Sequence, residues 1–110
     1  MHCANIVKNI DSAADLLQAV SSTQRLTILV ALFEGERSAG ALGIITGMRQ
    51  AALSQHLSKL RRAGLVHRRR HGRNALYRCE SVVAKVLLEA VAEMSSQMPP
   101  EEDNANILGA

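Results

Sequence analysis

The stretch from Leu53 to Val66, LSQHLSKLRRAGLV, restricts the fold of this chain more than any other segment. Leu53, Leu57 and Leu60 recur at four- and three-residue steps, the period of one face of a helix. Gly64 stands where a left-handed C-terminal cap belongs, so a helix is predicted from about Gln50 to Ala63. Leu65 and Val66 then anchor a strand through HRRR. HGRN reads as a turn, because Gly72 and Asn74 tolerate positive φ, and ALYRC reads as the returning strand. An amphipathic helix is thus followed at once by a hairpin with a basic tip, and the polar face of that helix is left for something other than the core.

The flanking segments are helical. A first helix is predicted from about Asp11 to Ser21, with Asp11 as a cap and Ile10, Ala13, Ala14, Leu17 and Val20 at helical spacing. A second covers TQRLTILVALFE, with Thr23 as cap, Gly35 as stop, and Leu26, Leu29, Val30 and Phe33 as its buried stripe. A third, AGALGIIT, follows Ser38 and ends near Gly47; its glycines each weaken a helix by about 1 kcal/mol relative to Ala. A last helix runs from about Ser81 to Gln97, with a wide apolar band of Val82, Val83, Val86, Leu87, Ala90, Val91 and Met94, and Pro99 and Pro100 stop it. The expected fold class is therefore mainly α with a small β-hairpin, in the order α-α-α-α-β-β-α. The third and fourth helices flank a short turn at Gly47, which is a helix-turn-helix with the hairpin as its wing. Residues 11–98 are assigned to this domain, residues 1–10 to an N-terminal arm, and residues 99–110 to a disordered acidic tail.

Charge says what such a surface could meet. Nine of the thirteen basic residues lie between Arg49 and Arg78, and none of the ten acidic residues does. Segregation of that kind is the footprint of a polyanionic partner. Two aromatic residues, Phe33 and Tyr77, are too few for the stacking platforms of single-strand and RNA binders. An acidic protein partner remains an alternative. No phosphate-binding glycine loop, nucleophile motif or carboxylate pair points to an enzyme. No apolar run approaches the ~20 residues of a membrane span, and the N-terminus lacks a signal-peptide core, so a cytoplasmic location is expected, nucleoid-associated when DNA-bound. A chain of 110 residues buries about two-thirds of its unfolded surface, which leaves a thin margin that a partner subunit would widen.

At this point the residues resemble a known family. ALSQHLSKLRRAGLVHRRRHGRNALYRC, together with TQRLTILVALFEGERSAGAL before it, is similar to the ArsR/SmtB family of bacterial winged-helix repressors, over about residues 11–95. LSQHLSKLRRAGLV followed by a basic wing resembles the branch of nodulation, biofilm and sulfide regulators and is fairly specific to it. The resemblance implies a homodimer packed through its first and last helices, with the fourth helix in the DNA major groove and repression by promoter occupancy. The apolar surplus on the terminal helices agrees, and assigns Ile10, Leu17, Val86, Leu87, Val91 and Met94 to the dimer interface. The two reading helices would then lie about one DNA turn apart, roughly 34 Å, on an imperfect palindrome.

With the leucines buried, the opposite face of the fourth helix carries Gln50, Ala51, Ser54, Gln55, Ser58, Lys59 and Arg62. Glutamine can pair bidentately with adenine, serine adapts to either partner, and Ala51 is short enough to meet a thymine methyl. Reading helices contact bases near their N-terminal half. Base readout is therefore assigned to Arg49, Gln50, Ala51, Ser54 and Gln55, and backbone contact to Ser58, Lys59, Arg62, Arg68, Arg69 and Arg70. His71, Arg73 and Asn74 form the wing tip, where Arg73 is a candidate for minor-groove insertion or for a phosphate. The branch pattern SQSALSQHL has Ser where this chain has Arg49 and Ala51, so the natural N-cap is missing and a different operator is expected. His56 is read as structural or phosphate-contacting.

Sensory sites of the family are metal ligands on the third or last helix, or cysteine pairs. Here SAGALGIITG has no Cys or His, and SVVAKVLLEAVAEM has no His or Asp. His67 and His71 stand about 13 Å apart along a strand and cannot share an ion. No metal and no cofactor is expected. A thiol-responsive variant would have to use Cys79, with Arg78 beside it favouring the thiolate, and Cys3. The expected partners are double-stranded DNA and a second copy of the chain, with no membrane and no obligatory metal.

Overall fold

Leu53, Leu57 and Leu60 are buried together with Ile28, Leu29, Leu32, Leu42, Leu65 and Val66, and the elements that carry them define the architecture. The structure is a computed structural model and describes residues 9–97. The described elements run α1 (Ile10–Val20), α2 (Thr23–Glu34), β1 (Arg37–Ser38), α3 (Ala39–Thr46), α4 (Gln50–Arg62), β2 (His67–His71), β3 (Asn74–Arg78) and α5 (Val82–Ser96). Most of the N-terminal arm, Cys3, and the tail assigned to 99–110 lie outside the described residues.

Local chemistry sets most helix ends. Ser38 caps α3 by accepting from the Ala41 N–H, and Ser81 caps α5 by accepting from the Ala84 N–H. The cap of α2 is Ser22, which accepts from the Arg25 N–H; Thr23, expected there, is the first helical residue. Asp11 is not a cap either. It sits in the first turn of α1, where its charge favours the helix dipole, and Asn9 holds the cap position. Gly64 does take the left-handed conformation that stops α4, at φ 76°, and Gly47 takes it between α3 and α4, at φ 72°. Gly72 carries the positive φ of the hairpin turn, and Asn74 does not: it already pairs with His71 as the first residue of β3.

Two expectations are corrected by packing. The stripe predicted for α2 included Val30, which is 52% exposed, whereas Arg25, Ile28, Leu29, Ala31 and Leu32 are the residues buried. That helix is apolar nearly all round, so its own period cannot choose a face, and contact with α3 and α4 makes the choice. The hairpin, in turn, is not two-stranded. β1 pairs antiparallel with β3, Arg37 opposite Tyr77 and Ser38 opposite Leu76, to give a sheet of order β1-β3-β2. A two-residue strand has no period to read. No single described helix is long and apolar enough to cross a membrane.

Candidate nucleic-acid interface

The turn that joins α3 to α4 is braced from within. Thr46 Oγ1 donates to the Leu42 carbonyl at 2.6 Å and accepts from the Met48 N–H at 3.3 Å. Gln50 Nε2 reaches back to donate to the Ala39 carbonyl at 3.2 Å, and a Cβ on Gly43 would come within 2.5 Å of that amide nitrogen. The glycine thus admits a side chain that ties the start of α4 to the start of α3. Gln50, assigned to base readout, is exposed but has its amide engaged in this tie. Arg49 occupies the N-cap of α4 without a side-chain cap bond, as the replacement of the branch's serine implies.

Ala51, Ser54 and Gln55 are exposed on the face away from the leucines, with no side-chain hydrogen bond among the described residues. Ser58 is half-buried further along, in a cleft of about 510 Å³ with Arg61, Arg62, His67, Arg68 and Arg78. A second cleft of about 310 Å³ continues beside it, lined by Arg61, Arg68, Arg70, Arg73, Asn74 and Ala75. Arg61 and Arg68 line both clefts, so the reading helix and the wing share one groove bordered by arginines and by no acid. Sequence reasoning gave Arg61 no role. Its helical position falls on the flank toward the wing, and only the placement of the hairpin makes that flank part of the basic surface.

The wing arginines divide by strand alternation. Arg68 and Arg70 face the groove, and the Arg68 guanidinium lies 6.0 Å from the centre of the Tyr77 ring, at the limit of a cation–π contact. Arg69 points the other way. Its Nε and Nη2 each donate to Glu36 at 2.7 Å, a two-pronged ion pair that ties β2 to the segment between α2 and β1. The hydrogen bonds from Arg69 hold the Glu36 carboxyl below its ordinary range, and Glu36 raises Arg69 in return. The backbone contact assigned to Arg69 is therefore met by a guanidinium already engaged within the chain. His71 and Arg73 are exposed at the tip.

Behind α4 lies a residue the sequence reading passed over. Arg25 is 9% exposed, and its Nε donates to the Ala19 carbonyl at 2.6 Å and its Nη2 to the Gln18 carbonyl at 3.2 Å. Nη1 stands 3.4 Å from His56 Nδ1. His56 is thus structural, and burial first, then the charges of Arg25 and Lys59, push its ring below the ordinary value. Cys79 is half-buried and lacks the thiolate-favouring contact with Arg78 that a thiol-responsive variant would need. Arg78 pairs with Glu80 at 2.6 Å rather than with the thiol, and burial pushes the Cys79 thiol up. Among the described residues no three His, Cys, Asp or Glu side chains are placed to hold a metal ion.

A helix-turn-helix braced at its turn, a three-stranded wing and an acid-free arginine groove between them define a winged helix-turn-helix DNA-binding domain. Residues 22–68 match the bacterial regulatory protein family arsR. The transcriptional activator HlyU of Vibrio cholerae is 36% identical over 97 residues, covering 88% of this chain and 90% of its own. Among solved structures, the transcriptional repressor BigR from Xylella fastidiosa superposes with a TM-score of 0.79 at 34% identity, over 86% of this chain and 96% of its own. The homodimeric winged helix-turn-helix DNA-binding domain Mb0332 from Mycobacterium bovis superposes with a TM-score of 0.75 at 31% identity, over 83% and 84%. The chain belongs to the ArsR family and is a DNA-binding regulator of transcription, not an enzyme.

Proposed function

We propose that the chain is a homodimeric repressor that occupies imperfect palindromes in promoters, reading bases with Arg49, Ala51, Ser54 and Gln55, while the Gln50 amide holds α4 to α3. The observation that carries this is the exposed polar start of α4 lying in line with the arginine groove. Ser58, Lys59, Arg62, Arg68 and Arg70, joined by Arg61, bind the phosphate backbone, and His71, Arg73 and Asn74 approach the neighbouring minor groove. Phosphate contacts position the domain and base contacts specify the site.

The dimer rests on exposed apolar residues of two helices. Ile10 and Leu17 on α1 are 57% and 53% exposed, and Val86, Val91 and Met94 on α5 are 59%, 46% and 62% exposed. Leu87 is partly taken up by the protomer's own core. A second copy would cover the others, and the similar Mb0332 domain is homodimeric. HlyU is an activator and BigR a repressor. Repression is the simpler reading here, because it needs only that the occupied operator exclude polymerase. The thiol-responsive alternative, which rests on Cys79 and Cys3, is disfavoured by the half-buried thiol at Cys79, which its surroundings push up.

The test is a titration against duplex DNA from upstream of the chain's own gene, a scrambled duplex and the matching single strand, at two salt concentrations. Tight duplex binding that beats the scramble is expected, with log K falling by about 0.9 per neutralised phosphate for each decade of salt. Gln55→Ala should weaken the specific duplex by about 5- to 150-fold, the worth of one bidentate base contact, and leave the scramble nearly unchanged. Equal binding to all three nucleic acids refutes sequence-specific repression.

A further inference from the structure

Arg25 is a buried cation without a carboxylate. Its three partners are the Ala19 and Gln18 carbonyls and the imidazole of His56, and no ion pair among the described residues includes it. Buried guanidinium groups are ordinarily paired with an anion. It uses three of its five N–H donors on those partners. Arg25 also lines a cleft of about 370 Å³ between α1 and the second half of α4, together with Asp15, Gln18, Ala19, Lys59 and Arg62. Three cationic side chains and a single carboxylate, Asp15, line that cleft, and neither Lys59 nor Arg62 is held in an ion pair among the described residues. At about 100° per residue, Asp15 and Ala19 project from the side of α1 opposite Ile10 and Leu17, so a dimer built on those apolar residues leaves the cleft open.

We propose that this cleft is an oxyanion site that takes a phosphate group, held by Lys59 and Arg62 against the buried charge of Arg25. Its volume is that of a small-ligand site. The phosphate comes either from a free phosphorylated metabolite or from the DNA backbone itself. In the first case the ligand competes with DNA for Lys59 and Arg62, so its binding relieves repression. In the second the cleft couples the dimer helix α1 to the bound duplex. The part played by Lys59 and Arg62 rests on the proposed function; the charge imbalance around Arg25 does not.

The full chain, isotopically labelled, is titrated with inorganic pyrophosphate and, at matched ionic strength, with chloride. Saturable shifts confined to Arg25, Lys59, Arg62 and the adjacent turn of α1 are expected with pyrophosphate alone. Asp15→Asn should tighten that binding about two- to fivefold, the usual reach of one exposed charge on another. Asp15 is exposed, so the variant keeps the fold, and helical circular dichroism checks it. Glu89→Gln makes the same change of charge on α5, away from the cleft, and should leave binding unchanged. If pyrophosphate produces these shifts and displaces a bound duplex, the source is a free ligand. If it leaves the cleft silent while Asp15→Asn alone tightens duplex binding, the source is a DNA phosphate. If Asp15→Asn and Glu89→Gln behave alike on both probes, or the shifts spread equally over the wing arginines, the basic surface is generic and the site is refuted. Wild-type discrimination between operator and scramble decides the functional proposal separately, because it does not depend on Asp15.

Discussion

Replacing Arg25 by Met tests how the reading helix is held to the rest of the domain. The guanidinium closes the C-terminal end of α1, where the last carbonyls of any helix lack intrahelical partners. The Ala19 carbonyl accepts from Arg25 at 2.6 Å, and no other bond to it is seen at the helix end. The Gln18 carbonyl accepts from Arg25 but also from the Ser21 N–H at 3.2 Å, so it keeps a partner when the arginine goes. A hydrogen bond from a charged group contributes about 1.5–3 kcal/mol, and a shared one much less. Against that, Met fills most of the volume and removes the desolvation cost of a buried charge. The balance is a loss of about 2 kcal/mol, which lowers the thermal midpoint by about 8–16 °C in a domain of this size. Circular dichroism melts and urea titrations at one fixed protein concentration would measure it, since a dimer's stability depends on concentration. Arg25→Lys, with one nitrogen in place of a planar fork, should recover less than half of the loss. A midpoint for Arg25→Met within about 2 °C of wild type, a change of under ~0.5 kcal/mol, would refute the capping role and leave Arg25 a tolerated burden.

His56 makes stability depend on pH in a definite direction. Its ring is held below the ordinary value of 6.5, so the unfolded chain binds the proton first and stability falls as pH drops through that value. The thermal midpoint should therefore fall between about pH 7.5 and pH 5.5, before the carboxylates titrate, and His56→Gln should flatten the dependence. Val86→Glu places a charge in the proposed dimer face without touching the protomer core, since Val86 is 59% exposed. Sedimentation should then report a protomer where the parent is a dimer, with operator affinity reduced by at least tenfold; an unchanged mass would refute that face. In a Cys3→Ser background, Cys79 should label with iodoacetamide more slowly than a free thiol at pH 7.5, and the gap should narrow as pH rises, because burial disfavours its thiolate. Rapid labelling at neutral pH would reopen the redox reading.

Much of the fold is legible in the sequence alone. The leucine period of α4, Gly64 at its end and Gly47 before it state their structure locally: a four- and three-residue spacing admits one helix face, and the left-handed turns favour glycine. The acid-free run from Arg49 to Arg78 announced a polyanion partner in the same way, because charge sign needs no tertiary context. The burial of α2 was not local. Its apolar residues cover most of its surface, so α3 and α4 decide that Ile28 is buried and Val30 exposed. β1 was invisible for a related reason: two residues become a strand only because β3 lies beside them.

The same division holds for the site. Ala51, Ser54 and Gln55 could be placed on an open face from the period alone, since the leucines opposite them fix which way the helix rolls. The partners of arginines could not. Five of the nine basic residues in the acid-free run follow Gly64, and sequence treats the three of RRR alike; the sheet turns Arg69 to Glu36, thirty-three residues away, and leaves Arg68 and Arg70 to the groove. Arg25 reads as a polar residue in an apolar helix, and only the meeting of α1 with α4 makes it a buried cap. The sequence by itself determined the five helices and the hairpin, their order and the sign of their partner, because those follow from spacing and charge along the chain. Tertiary structure alone decided which cations are engaged and which are free, because an ion pair depends on distance in space.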